Sequence, residues 1–409
     1  MKHFWRSVAS VLTGTALAQV IPVLGSLVLA RQYAPAQFGT FSAWLGTVLL
    51  LGVVLTGRFE AALALEPDGE PRRVAVISTF ATILIAACVS GFALAIAMAL
   101  VPGWANSIPV LLIALSVPAA TAVAAAQTWQ SWAAAEGLYR ELSMMRIAQA
   151  AAVTLLQIAV GLLISTASAL ALAHVLGVIV SLAVSARLMP LGALPNGKLA
   201  ATTGSFWRRQ QRFPLLALPA DAISAAAVQL PILIVASRFG ADIAGLLAMT
   251  MRILGAPIGL LGKSVLDVFK RHAASSFRDH GECRSDYVQT FKVLGLGSLA
   301  FSLVMAISSE TLFAVAFGET WRASGVIAVW LLPLFALRFM ASPLSYMAYI
   351  AGKQHVDLFW QIALLGMTLA SLNIPQRYDL ALQAYSAGYS VLYVIYLALS
   401  YRFSLGEKR

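Results

Sequence analysis

The stretch RLMPLGALPNGKLAATTGSFWRRQQR, residues 187–212, divides the sequence. It contains Pro190 and Pro195 and the cations Arg187, Lys198, Arg208, Arg209 and Arg212, with no acidic residue among them. Long apolar runs broken by short turns lie on both sides. Lys and Arg are retained on the cytoplasmic side of a membrane, so the stretch reads as a cytoplasmic linker between two membrane bundles. The expected organisation is an N-terminal six-helix lobe over 1–190, a basic linker over 191–212 and a C-terminal six-helix lobe over 213–409.

Composition supports a membrane protein. Of 409 residues, 60% are hydrophobic and only 11% charged, against about 25% charged in a soluble domain. Such a chain cannot cover a water-facing surface. The runs are about 18–25 residues long, which suits helices crossing hydrocarbon roughly 30 Å thick. The period-two alternation of an outer-membrane barrel is absent. The net charge of +11 is a topology signal, because no segment could form the folded basic face that a nucleic-acid binder needs. Cys88 falls in a span and Cys283 in a cytoplasmic segment, so neither a disulfide framework nor a metal-ligand spacing is expected.

Spans are predicted near 9–30, 40–65, 74–100, 108–135, 143–164, 169–187, 213–237, 243–262, 288–308, 323–350, 356–372 and 380–402. The fold class is therefore an all-α integral membrane protein with about twelve transmembrane helices. With the N-terminus inside, the outer loops hold only Arg31, Arg238, Arg322 and Arg377, while the other cations face the cytoplasm; both termini are then cytoplasmic. The outer loops 102–109 and 165–168 are too short for a catalytic domain, and no enzyme is expected. In 263–287, Leu266, Phe269, Ala273 and Phe277 recur at helical spacing. That pattern fits a helix on the cytoplasmic surface or an extension of the preceding span.

The two halves resemble each other. Gln19 and Pro22 lead to ARQYAPAQFGTF (30–41), as Gln229 and Pro231 lead to SRFGADIAGLLA (237–248). Arg31 then matches Arg238, and Gly39 matches Gly245. Pro118 and Gly137 match Pro333 and Gly352 at one common offset. A six-plus-six repeat with parallel halves suits a transporter that rocks two bundles about a central site.

Arg58, Glu60, His174, Asp221, Arg252 and Arg338 fall inside the spans or near their ends. A charge at the bilayer centre costs at least about 2.5–3.5 kcal/mol, so such residues face a wet cavity or a partner. Arg58 and Glu60 are two apart and are expected to point to different faces. His174 reads as a packing residue. Arg252 and Arg338, taken as lying on equivalent helices of different halves, are expected to converge on a central cavity. Neither has an acid within one helical turn, which points to an anionic substrate or lipid as counter-charge. Asp221 and Glu60, read as the only carboxylates inside or at the rim of the spans, are the candidates for coupling to a proton or sodium gradient. No cofactor or metal is expected.

The runs LTGTALAQVIPVLGSLVLARQYAPAQFGTFSAW (12–44), GRFEAALAL (57–65), AGLLAMTMRILGAPIGLLGKSV (244–265) and FGETWRASGVIAVWLLPLFALRFMASPLS (317–345) resemble bacterial polysaccharide (O-antigen type) flippases. These belong to the multidrug/oligosaccharidyl-lipid/polysaccharide exporter (MOP) superfamily. The resemblance implies a MATE-like architecture of two six-helix lobes around a V-shaped cavity. It implies that an undecaprenyl-pyrophosphate-linked oligosaccharide is moved from the cytoplasmic to the periplasmic leaflet of the inner membrane. By motif position it carries a functional role to Arg31, Arg58, Glu60, Arg252, Trp321, Arg322 and Arg338. The expected partners are that lipid-linked sugar, anionic membrane lipids, and the polymerase and glycosyltransferases of the same pathway. The alternative is a drug or small-molecule exporter of the same superfamily. Such exporters need a carboxylate, often in the first helix, and residues 9–30 contain none. A membrane sugar polymerase is disfavoured by the short outer loops. Asp279, Glu282 and Asp286 look like an ordinary charged face rather than a metal pair.

Overall fold

The computed structural model describes residues 2–100, 108–191 and 199–406. All regular structure among them is helical. Twelve long helices follow in order: α1 Lys2–Gln32, α2 Pro35–Thr56, α3 Glu70–Leu100, α4 Val110–Ala135, α5 Tyr139–Gly161, α6 Ala167–Leu188, α7 Leu218–Phe239, α8 Ala241–His280, α9 Arg284–Phe317, α10 Arg322–Leu344, α11 Gln354–Asn373 and α12 Tyr378–Ser404. Eleven helical segments among the described residues are long and apolar enough to cross a membrane, and α1 adds a shorter apolar stretch, Ala16–Gln32. The chain is a multi-pass membrane protein.

The apolar pattern locates the helices but not all their ends. The run 40–65 is not one helix: α2 stops at Thr56, and Phe59–Ala62 and Leu63–Leu65 form separate short turns. Helix α8 continues through 263–280 without a break, because that segment holds neither Pro nor Gly. It ends where Gly281 adopts φ 76° and donates its N–H to Phe277 O at 2.9 Å, a left-handed glycine cap. The extension reading of 263–287 is thus the one realised. Part of the basic stretch is also ordered as the amphipathic helix Leu199–Arg209. Phe206 is fully buried, and Trp207 Nε1 donates to Thr82 Oγ1 of α3 at 2.8 Å. Pro195, Asn196 and Lys198 lie outside the described residues.

The contacts divide the chain into two units, 1–33 with 40–229 and 34–39 with 230–409. The division falls within α7, whereas the sequence reading places it in the 191–212 linker. The first unit is organised about a core of Phe59, Leu63, Val76, Trp132, Met145 and Phe206.

The repeat is visible in the pairing of helices inside each unit. In the first, α3 packs on α4, α4 on α6 and α5 on α6; in the second, α9 packs on α10, α10 on α12 and α11 on α12. The backbone repeats as well. Gly137 (φ 72°) and Gly352 (φ 68°) are both left-handed. Leu138 N–H donates to Ala133 O at 2.9 Å, and Lys353 N–H to Ala348 O at 2.7 Å. Each is the six-to-one bond of a Schellman cap, which favours glycine because a Cβ is penalised there.

Candidate functional site

The first unit gathers three of the sequence-selected residues into one cluster. Gly57 and Arg58 both take positive φ, 56° and 60°, and Arg58 is the only non-glycine described residue that does so. Such a conformation costs about 1–3 kcal/mol and persists where surroundings hold it. Here Arg58 N–H donates to Thr56 Oγ1 at 3.2 Å. The reversal turns the side chain so that Arg58 Nη1 meets Glu60 Oε1 at 2.8 Å, and its Nε lies 2.7 Å from Asp221 Oδ2. The expectation that Arg58 and Glu60 face apart is therefore wrong. It assumed continuous helical phase, and the helix breaks at Gly57 and Arg58.

Asp221 reaches this cluster from the first turn of α7, just after the π-helical turn Phe213–Ala217. Single π turns inside helices often mark functional positions. Asp221 is 41% exposed and Glu60 only 4%. Glu60 Oε2 is buried and accepts no hydrogen bond among the described residues. One guanidinium thus faces two carboxylates, and the cluster carries a formal charge of about −1.

Arg252 and Arg338 both lie in the second unit, on α8 and α10, which pack on each other. They do not come from different halves; the repeat partner of α10 is α4. The Arg252 guanidinium sits 5.6 Å from the Phe38 ring centroid, and Phe38 meets the fully buried Trp321 edge-on at 5.7 Å. Cation–π contact of this kind partly offsets a buried charge. Arg338 lies within electrostatic reach of Tyr385, Tyr389 and Tyr393 on α12. Neither arginine makes an ion pair or hydrogen bond among the described residues.

The remaining residues have local roles. Arg31 is exposed in the last turn of α1. Its repeat counterpart Arg238 donates to Leu372 O and Pro375 O at 2.5 and 3.1 Å, capping the end of α11. Arg322 pairs with Glu319 through both carboxylate oxygens, at 2.6 and 3.0 Å. His174 packs against Phe41 and Trp44. Cys88 and Cys283 are free thiols; burial, with Asp286 and Glu282 beside it, pushes Cys283 up to about 11.

Two residues carry more than the sequence suggests. Asp357, in the first turn of α11, is buried and accepts from Tyr396 Oη at 2.8 Å and Gln361 Nε2 at 3.0 Å. Glu60 and Asp221 are therefore not the only carboxylates in the spans. The missed signal is an acid opening a predicted span opposite tyrosines at 385, 389, 393 and 396, a helical stripe. Arg72, counted only as a topology marker, is 6% exposed and holds three backbone carbonyls.

Twelve apolar helices in two repeats of six, with ionised groups inside the spans, define a polytopic membrane protein built on a transporter scaffold. A sequence model of the polysaccharide biosynthesis protein family matches residues 28–325, and the chain belongs to that family. No curated protein sequence matches it. Its structure is similar to lipid II flippase MurJ in an inward closed conformation, with TM-score 0.74, 11% identity, and coverage of 95% of this chain and 87% of that one. It is similar to an inward-facing multidrug resistance MATE family transporter of the MOP superfamily, with TM-score 0.68, 12% identity, and coverage of 95% and 94%. The MATE multidrug transporter DinF-BH in complex with R6G gives 0.61, 14%, and 97% and 94%. The fold is that of the MOP superfamily.

Proposed function

We propose that the protein is a flippase. Its substrate is a polyprenyl-pyrophosphate-linked oligosaccharide, carried from the cytoplasmic to the periplasmic leaflet of the inner membrane by alternating access, with both termini cytoplasmic. The observation that carries this reading is the pair Arg252 and Arg338, two half-buried guanidinium groups with no carboxylate partner among the described residues, in a chain of a polysaccharide family. An uncompensated cation in a low-dielectric setting calls for an anion. A pyrophosphate offers oxygens that the guanidinium fork meets in two directional bonds. The same two cations oppose a cationic drug, which weakens the exporter reading.

The test is restoration of surface polysaccharide in a flippase-deleted strain, with the membrane level of each variant measured alongside. Arg252→Ala and Arg338→Ala are each expected to lower restoration by about tenfold or more, the equivalent of one charge-assisted hydrogen bond. Lys at either position should restore it in part. Full restoration by both alanine variants at normal membrane levels would remove the anion clamp, and a gain of drug resistance on expression would favour the exporter.

Coupling in this reading runs through Glu60 and Asp221. Their cluster holds one negative charge in excess, and Glu60 keeps a buried oxygen unpaired. That charge count favours uptake of one monovalent cation, a proton or sodium. The double variant Glu60→Gln with Asp221→Asn is expected to make transport insensitive to an uncoupler or to sodium removal. Unchanged transport with unchanged sensitivity would place coupling elsewhere.

A further inference from the structure

A cavity of about 620 Å³ opens where the amphipathic helix Leu199–Arg209 hands over to the π turn Phe213–Ala217 that precedes α7. Its lining combines two chemistries. Arg209, Gln210, Gln211 and Arg212 bring donors, and Leu65, Phe213 and Leu216 bring apolar surface. Arg212 is exposed and makes no ion pair or side-chain hydrogen bond among the described residues. The acid within reach is Glu66, which is buried, accepts from Gln210 Nε2 at 2.8 Å and stands 3.8 Å from Arg209. Glu66 is thus already engaged and stands near Arg209 alone, while Arg212 has no carboxylate partner among the described residues.

The leucines of this region are as unusual as its cations. Leu65, Leu215 and Leu216 are 70%, 67% and 71% exposed. Leu215 and Leu216 stand at the start of a segment, Phe213–Phe239, that is long and apolar enough to span the bilayer, so in a membrane they meet acyl chains; Leu65, from the turn after α2, lines the same cavity. A guanidinium pair next to leucines at that level matches a phosphate carried on a hydrophobic tail. A free anion would leave the leucines unused. We infer that this cavity is a binding site for one anionic glycerophospholipid, its phosphate held by Arg209 and Arg212 and its glycerol and upper acyl chain laid against Leu65 and Leu216. Docked there, the lipid would fasten the amphipathic helix and the start of α7, and with it Asp221 four residues beyond the π turn, to the membrane surface.

The experiment is native mass spectrometry of the full-length protein in detergent, titrated with phosphatidylglycerol or phosphatidylcholine. Wild type is expected to retain at least one phosphatidylglycerol more than Arg209→Gln/Arg212→Gln, with occupancy of that adduct falling about tenfold, as for a lost charge-assisted bond. Phosphatidylcholine adducts should be equal in both. Arg278→Gln, at a cation 77% exposed on α8, should behave as wild type. Because Arg212 makes no ion pair or side-chain hydrogen bond among the described residues, Arg212→Gln alone should show the loss at an unchanged melting temperature. Identical phosphatidylglycerol retention in wild type and Arg212→Gln would overturn the site. Displacement of the lipid by glycerol 3-phosphate at equal concentration would show that the cavity reads phosphate alone and would overturn the lipid assignment.

Discussion

Arg72→Ala is expected to deplete the folded protein from the membrane, and to lower its melting temperature in detergent by at least about 5 °C. Arg72 lies in the first turn of α3 and is 6% exposed. Its Nε donates to Leu63 O at 3.1 Å, its Nη2 to Glu66 O at 2.9 Å and its Nη1 to Ala135 O at 3.0 Å. Asp68 and Glu136 complete the shell. Leu63 and Glu66 belong to the broken connection after α2, and Ala135 is the last residue of α4. One guanidinium therefore ties three segments through backbone carbonyls of the connection and of the end of α4. Its removal strands those carbonyls and two carboxylates, a loss of about 3–5 kcal/mol for a buried charged group. Lysine keeps the charge but has a single donor head, and it should recover less than half of the lost stability. A melting temperature within about 1 °C of wild type for the alanine variant would show that the carbonyls find water instead.

The residues that were legible share one property: their role is set by neighbours in sequence. Runs long enough for hydrocarbon mark the helices, since the bilayer fixes their length. Gly137 and Gly352 are readable as helix ends, since a left-handed cap selects glycine. The matching of Pro118 with Pro333 follows from the same local chemistry. What failed depends on distant segments or on a break that hydropathy does not register. GRFEAALAL sets two charges among apolar residues, so an averaging hydropathy window runs on through the break at Gly57 and Arg58. The partner of Arg58, Asp221, is supplied by a helix in another part of the chain. Arg72 looks like any membrane-flanking cation until the carbonyls it binds are known. Arg252 and Arg338 lie in one half, on α8 and α10. The offset that pairs Pro118 with Pro333 already puts Arg338 opposite α4 and not opposite α8.

Gly39→Ala and Gly245→Ala are each expected to prevent normal accumulation of the protein. The first turns of α2 and α8 meet backbone to backbone within the second unit. A Cβ on Gly39 would stand at 1.8 Å from Ala241 O, and a Cβ on Gly245 at 1.9 Å from Pro35 O. The contact is reciprocal, and it joins matched positions of the repeat: Pro35 with Ala241, Gly39 with Gly245. Carbonyl oxygens inside helical turns cannot swing aside as a side chain would. The helices must separate, and the small-residue packing that joins helices in lipid is lost. Overpacking in a tight core costs about 1–3 kcal/mol, and a backbone obstacle belongs at the upper end of that range. Gly366→Ala on α11, where nothing lies within 4 Å of the added carbon, is the control and should be neutral or mildly stabilising through helix propensity. The double variant is the sharper measurement. One separation of α2 from α8 accommodates both new methyl groups, so Gly39→Ala/Gly245→Ala should cost clearly less than the sum of the single variants. Strict additivity in melting temperature would mean that the two glycines are felt independently, and that the reciprocal contact is not one mechanical unit.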